Sequence, residues 1–472
     1  MIRDWIETAA RQRGGAVYLA DARGERTLTY DGLLDAVVAW ENVLDEAGLP
    51  RGTSIAIRAR DPFEYAVTLV ALLGAGRVAV PLDPQAPPAD AARVLEVAAP
   101  AAVTEGSFTV QVVALGRGPA AGAGIYLCTS GTTGTPKGIL LRDEQLAHVA
   151  ASVVSHHKLS HHDRGYCSLP LFHVNAEVVG LLATLRAGAF LAVDRKFSRR
   201  GFWDMIRRHR ITWINAVPAI ISILGMDPPA DVPAGIRFVR SASAPLPRAS
   251  LEGFEAAFGI PVVETYGMTE AASMITANPV DGVRKPGSAG RPAGTEVRVV
   301  NVSELGTVTP CGPSEIGRVQ IRGAGVIMSY ASGGRPGVIS PDGWLDTSDL
   351  GYLDSDGYLF LAGRSDDVIN RGGEKIYPRE IEELLIAQPG VRSAAVVGAP
   401  DDVLGERPVA WVLPSEDSAL DPAGLEAALR DACATCLPRH KQPGAFYVVG
   451  ELPLGPTGKI ARRRLKDMAG SR

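Results

Sequence analysis

Cysteine is scarce: five residues in 472, an odd number spread widely, argue against a disulfide framework and for a reducing compartment, the cytoplasm. Neither sign of charge prevails. With 48 Lys plus Arg against 52 Asp plus Glu, a net charge of −4 supplies no basic field for gripping nucleic acid or an anionic membrane. Long apolar runs are missing too. Segments 66–75 and 178–193 fall short of the roughly 18–20 residues a bilayer span requires, and Arg186 interrupts the second. The opening Met1-Ile2-Arg3-Asp4-Trp5-Ile6-Glu7 sets acids among apolar residues and lacks the apolar core of a secretory signal, so neither export nor a membrane span is expected.

What is present is globular usage, 46% hydrophobic and 21% charged. Gly (52) and Pro (34) are plentiful, which points to many tight connections and not to disorder. The length predicts two to four domains at roughly 100–200 residues each.

From 53 to 264, short β-branched runs alternate with longer amphipathic segments, the signature of crossover units on a parallel sheet. The pattern predicts strands at 54–57, 78–80, 125–128, 189–193, 213–215, 236–240 and 261–265, with a helix over 62–75 among those between them. Beyond Gly287, short strands punctuated by Gly, Pro and Asn suggest a small β-rich subdomain. After Gly363 the alternation restarts: Pro378 opens a helix that Pro389-Gly390 ends, strands follow at 392–397 and 409–413, and Asp421-Pro422 opens another helix. The fold class is therefore α/β: a large N-terminal domain (1–365) that includes the β-rich subdomain, and a small α+β C-terminal domain (366–472).

The most informative stretch is Tyr126-Leu-Cys-Thr-Ser-Gly-Thr-Thr-Gly-Thr-Pro-Lys-Gly138. An apolar strand runs into hydroxyls, glycine amides and one ammonium, the groups that wrap phosphate oxygens. It is not the usual nucleotide loop, because Gly138 follows Lys137 where a Ser or Thr should hold magnesium.

This string and four others, in order, resemble the adenylate-forming enzymes: acyl-CoA synthetases, stand-alone adenylation domains and firefly-type luciferases. The others are Glu264-Thr-Tyr-Gly-Met-Thr-Glu270, Gly343-Trp-Leu-Asp-Thr-Ser-Asp349, Gly363-Arg-Ser-Asp-Asp-Val-Ile-Asn-Arg-Gly-Gly-Glu-Lys375 and Pro456-Thr-Gly-Lys459. The resemblance covers nearly the whole chain and implies that ATP and an acid bind the large domain while the small one swings over it. It gives ATP contacts to Thr129, Ser130, Gly131, Thr132, Thr133, Gly134 and Lys137, and to Glu264, Thr265 and Tyr266. Glu270 takes the magnesium role and Thr269 a phosphate contact; without the resemblance the pair reads as a helix cap. Asp349 accepts the ribose hydroxyls, with Arg364 in support. Ser243, Ala244 and Pro245 line the adenine pocket, although Ala242 and Ser243 stand where many members have two glycines.

The same resemblance makes Asp366 the hinge and the Gly372-Gly373 pair the border of a thiol tunnel. Lys459 reaches between the carboxylate and the α-phosphate, where an ammonium offsets the repulsion of two anions. His173 is a gate between acyl pocket and thiol channel, and Val174, Asn175, Glu177, Val178, Ala216, Val217, Ser241, Gly267, Met268 and Ser273 are the pocket candidates. Glu177 is expected to face solvent; facing the pocket, it would repel a second carboxylate on the substrate and favour an amine or hydroxyl.

The Arg462-Arg463-Arg464 run reads as a solvated face. Cys433 and Cys436 read as core residues on one helix, both near its apolar side, and the pairs His156-His157 and His161-His162 as a polar loop without a metal. The activity expected is a ligase using ATP and Mg²⁺: a small carboxylic acid becomes an acyl-adenylate, then a thioester of coenzyme A. The strings 370–378 and 172–175 look more like CoA ligases than amino-acid adenylation domains. A pantetheinylated carrier protein in trans, or another nucleophile, is the alternative acceptor.

Overall fold

The computed structural model describes residues 1–113, 122–129, 137–229, 231–303, 306–334, 336–416, 418–454 and 460–470. They group into two units: Met1–Leu246, Ser250–Val297 and Ile321–Leu345 form the first; Pro247–Ala249, Arg298–Gln320 and Asp346–Arg472 the second.

The first unit contains two sheets. In the six-stranded one, Ser54–Ile57, Val78–Pro81 and Ala102–Thr104 run parallel, joined on one side by β1 (Gly124–Thr129) and its antiparallel partner β2 (Lys137–Arg142). Helix α1 (Pro62–Gly74) makes the first crossover. Asp61 caps it by accepting the Glu64 N–H at 3.0 Å, and Pro62 occupies the first turn, where its missing N–H costs nothing. Its residues from Phe63 to Gly74 are buried except Glu64, as an all-round apolar helix must be. Helix α2 (Asp143–His157) follows β2.

The nine-stranded sheet supplies the other half. Its parallel centre includes β3 (Arg164–Cys167), β4 (Trp213–Ala216), β5 (Phe238–Ser241) and β6 (Val262–Met268), and an antiparallel strand, β7 (Ser273–Ala277), pairs with β6. All four residues of β4 and all four of β5 are buried, the mark of strands covered on both faces. The alternation read from the sequence is present, with strand bounds shifted by at most three residues. The β6–β7 pairing and the N-terminal helix Ile2–Arg13 were not expected.

In the second unit, β8 (Leu345–Leu353) and β9 (Leu359–Arg364) pair antiparallel at one side of a five-stranded sheet. A separate sheet pairs Glu374–Ile376, Ile369–Arg371, β11 (Gly405–Pro414) and β10 (Val391–Asp401), with Ala445–Val448 parallel to β11. Helices α3 (Pro378–Ile386), α4 (Pro422–Cys436) and α5 (Arg462–Gly470) complete it. Side chains of β10 alternate between two cores: Ala394 and Val396 join α3 and α4 through Ile381, Leu385, Leu425 and Leu429, whereas Ala395 and Val397 join α5 through Leu465.

Three expectations are corrected here. Cys433 is buried but Cys436, the last residue of its helix, is exposed. His156 and His157 end α2 and do not lie in a loop, and His157 is wholly buried. Arg462 is no part of a solvated face: Nη1 and Nη2 donate to the two oxygens of buried Glu382 at 2.6 and 2.8 Å.

Candidate functional site

Thr129 and Lys137 are opposite partners at the ends of β1 and β2, so the hydroxyl- and glycine-rich segment between them starts and finishes at one point of the sheet. Ser130, Gly131, Thr132, Thr133 and Gly134 lie outside the described residues. The Lys137 ammonium sits 5.2 Å from the centroid of the Tyr330 ring, a cation–π distance. The Tyr330 hydroxyl in turn donates to Glu270 Oε1 at 3.0 Å. Two backbone bonds hold the Tyr330 segment against β2: Gly138 N–H to the Ser332 carbonyl at 3.0 Å and Ala331 N–H to the Gly138 carbonyl at 2.9 Å. A cation, a phenol and a carboxylate thus converge from three separate parts of the chain.

Glu270 belongs to a single 3₁₀ turn, Thr269–Ala271, directly after β6. The turn depends on Gly267. A Cβ there would stand 1.5 Å from the Ser273 carbonyl oxygen, and the β6–β7 register shifts at this residue. Only glycine lets the two backbones approach so closely. Glu270 is 8% exposed, and its second oxygen takes no hydrogen bond from a described residue. One carboxylate with a spare hard oxygen suits Mg²⁺, which binds through one or two carboxylates and completes its shell with phosphates and water. Among the described residues no cluster of three His, Cys, Asp or Glu could hold a metal alone.

Along β6, Glu264 is buried and its Oε2 accepts the Gly287 N–H at 3.2 Å, while the Thr265 hydroxyl donates to the Ser241 carbonyl at 3.0 Å. Tyr266 is half-buried on the same strand. Past Ser241 and buried Ala242, Ser243 adopts φ +74°, a left-handed conformation that side chains disfavour, ahead of exposed Ala244 and Pro245.

His173 heads the next element: its carbonyl accepts the N–H groups of Ala176 and Glu177 at 3.0 and 3.2 Å, and its ring lies 4.7 Å from that of Phe172. Val174 precedes a π-helix, Asn175–Leu182, a widened form that recurs at functional sites. Val178 is buried on it, and Val217, half-buried, precedes the helix Pro218–Gly225.

Glu177 overturns the expectation that it faces solvent. It is 0% exposed, and neither carboxylate oxygen meets a partner among the described residues. Burial beside Tyr65 of α1 pushes its carboxyl well above the usual carboxylate range.

Sequence reasoning missed Arg240 and Asn215. Arg240, 2% exposed on β5, donates through Nη1 to Asn175 Oδ1 at 2.7 Å and to Asn215 Oδ1 at 3.1 Å. The signal was legible: an arginine inside a strand of the buried parallel type demands a partner, and the sequence places no acid nearby on that strand.

In the second unit, Arg364 Nη1 approaches Asp349 Oδ1 at 3.4 Å across the β8–β9 pair. Asp366 lies in a 3₁₀ turn, Ser365–Asp367. Gly372 and Gly373, at φ +60° and +91°, make the two-residue turn between Ile369–Arg371 and Glu374–Ile376, a geometry that asks for glycine. Lys459 lies outside the described residues.

Comparison with known proteins gives two family matches: the AMP-binding enzyme model over residues 6–117 and 123–331, and the AMP-binding enzyme C-terminal domain over 380–459. A sulfoacetate–CoA ligase of Cupriavidus necator is 44% identical over 73% of the chain and 67% of its own length. An oxalate–CoA ligase of Arabidopsis thaliana is 33% identical over 93% of both. Among solved structures, ATP-bound MatB from Rhodopseudomonas palustris superposes with a TM-score of 0.86 at 26% identity, over 99% of each chain. The o-succinylbenzoate CoA synthetase of Bacillus subtilis, in complex with its acyl-adenylate, gives 0.85 at 28% over 98% of each. No described helix is long and apolar enough to cross a membrane.

Proposed function

The chain belongs to the family of AMP-binding enzymes, and from that premise we propose that it is an AMP-forming acid–CoA ligase acting on a small carboxylic acid. The observation that carries the reading is the convergence of Lys137, Tyr330 and Glu270 beside the Thr/Gly-rich segment. A cation for phosphate, and a carboxylate with one oxygen spare, sit a phenol's width apart. Nothing in a purely structural role requires both.

In the first half-reaction the acid's carboxylate attacks the α-phosphorus of ATP, the acyl-adenylate forms and pyrophosphate leaves. Lys137 and the hydroxyls of the preceding segment neutralise the departing phosphates. The Tyr330 O–H fixes one Glu270 oxygen and leaves the other for Mg²⁺, which when bound offsets phosphate charge. Thr269 adds a phosphate contact, Asp349 accepts the ribose hydroxyls with Arg364 holding its carboxylate, and Ser243 to Pro245 border the adenine. Lys459 supplies the ammonium between the two reacting anions.

In the second half-reaction a thiol attacks the mixed anhydride, the thioester forms and AMP departs. Asp366 is the hinge of a C-terminal domain, residues 366–472, and the bare Gly372-Gly373 turn leaves room for a pantetheine arm. His173 acts as a gate and not as a base, because carboxylates are already ionised and thiols ionise near pH ~8.5.

Pyrophosphate release from ATP, measured with a panel of small acids with and without CoA, tests this. Acid-dependent release coupled to CoA consumption is expected. Release that CoA never consumes would transfer the acyl group to a carrier protein or another nucleophile. Lys459→Ala should cut adenylate formation by ~100-fold or more yet leave thioester formation from preformed adenylate nearly intact; unchanged adenylation would refute its role.

A further inference from the structure

Arg240, Asn215 and Cys167 are registered neighbours on three parallel strands, so their side chains share one face at the carboxyl ends of β5, β4 and β3. That edge is where α/β sheets hold ligands. Asn175, at the head of the π-helix, bonds to two of them: its Oδ1 accepts from Arg240 Nη1 at 2.7 Å and from Asn215 Nδ2 at 3.4 Å. The cluster is sealed, with Arg240 at 2%, Asn175 at 8% and Asn215 at 0% exposure.

Once these bonds are made, two donors of the cluster are left over. Arg240 Nε and Asn175 Nδ2 are buried without a partner among the described residues. No described carboxylate pairs with Arg240. The ionisable groups that feel its charge are uncharged: burial depresses His156 and His157 and pushes the Cys167 thiol up to about 11. Burial pulls Arg240 itself down to about 9, so it stays a cation at neutral pH. Burial alone raises the carboxyl of Glu177 on the same π-helix, and it makes no hydrogen bond or ion pair with Arg240. A desolvated guanidinium without an anion is among the costliest groups a fold can retain.

We infer that Arg240 Nε and Asn175 Nδ2 form a subsite for a second oxyanion on the acid, so that the preferred substrates are short dianions, dicarboxylates or sulfonated carboxylates. This names the substrate class of the ligase reading and rests on it. The carboxylate to be activated faces ATP while the second anion docks on Arg240. A monoanionic acid of equal length leaves the cation buried and unpaired, so it is rejected by electrostatic cost and not by bulk. Arg240 is then a specificity determinant, with Asn215 positioning Asn175.

The test pairs malonate, succinate and sulfoacetate with propionate and butyrate on the full chain, binding read by titration calorimetry with AMP present and turnover by pyrophosphate release. The wild type should bind malonate ~30-fold or more tighter than propionate, and Arg240→Gln should erase that ratio through KM. Asn175→Asp sets a carboxylate against the guanidinium; it should raise the melting temperature and also erase the preference for dianions. Equal binding of malonate and propionate by the wild type overturns the subsite, as does a preference that survives Arg240→Gln. A lower melting temperature for Asn175→Asp overturns the missing counter-charge. Malonate binding without pyrophosphate release from any acid would sustain the subsite and overturn the ligase reading.

Discussion

Each unit contains an arginine bonded to buried partners, and the two are provided for differently. Arg462, in the second, grips both oxygens of Glu382, reaches the Val396 carbonyl at 2.9 Å and has Asp367 at 3.6 Å. Arg240, in the first, has two amide oxygens and no anion. The contrast is not a habit of the units, since Arg77 in the first is as buried as Arg240 and spends all three nitrogens on Asp45 and the Leu49 and Ala75 carbonyls. An arginine with complete partners is architecture, whereas one with an open side is kept for a visitor.

The largest expected effect breaks the complete case. Glu382→Ala strands Arg462 beside Val396 and should cost ~3 kcal/mol of unfolding free energy in urea, the lower end for a buried pair, because Arg462 keeps 26% exposure. Arg240→Gln should cost under ~1 kcal/mol in the same assay, since removing an uncompensated charge offsets the lost bonds. Equal losses would erase the distinction.

A smaller effect sharpens it with a buried acid. The folded Glu177 carboxyl keeps its proton above the pH near 4.5 at which the unfolded one ionises. Stability contributed below that pH is therefore lost as pH rises, and Glu177→Gln should raise the melting temperature by a few degrees at pH 7.5 and by nothing near pH 4.5. Melts at both values check the sign. The smallest effect concerns backbone: Ser243→Gly removes a left-handed side chain and should gain about 0.5–1 kcal/mol, read as a small rise in melting temperature.

The fold's alternating layout was legible because period and punctuation are local: the helix expected from Pro62 starts there, and Asp421-Pro422 opens its helix, with Asp421 as the cap. The β6–β7 pairing was not, since it hangs on one glycine meeting a carbonyl six residues on. Of the candidate site, Lys137 and Glu270 were legible by type and motif. Tyr330, which lies between them, was not, because no pattern links position 330 to 137 or 270 before the chain folds. Arg462 was misread for the opposite reason: three adjacent arginines look like a wet surface, and only helix geometry turns the first of them inward.

Strand β10 gives the smaller unit an unusual economy. Its successive side chains feed separate layers, so neither layer can loosen without disturbing the other. If the strand couples its two layers, amide protection on its two faces should be lost together.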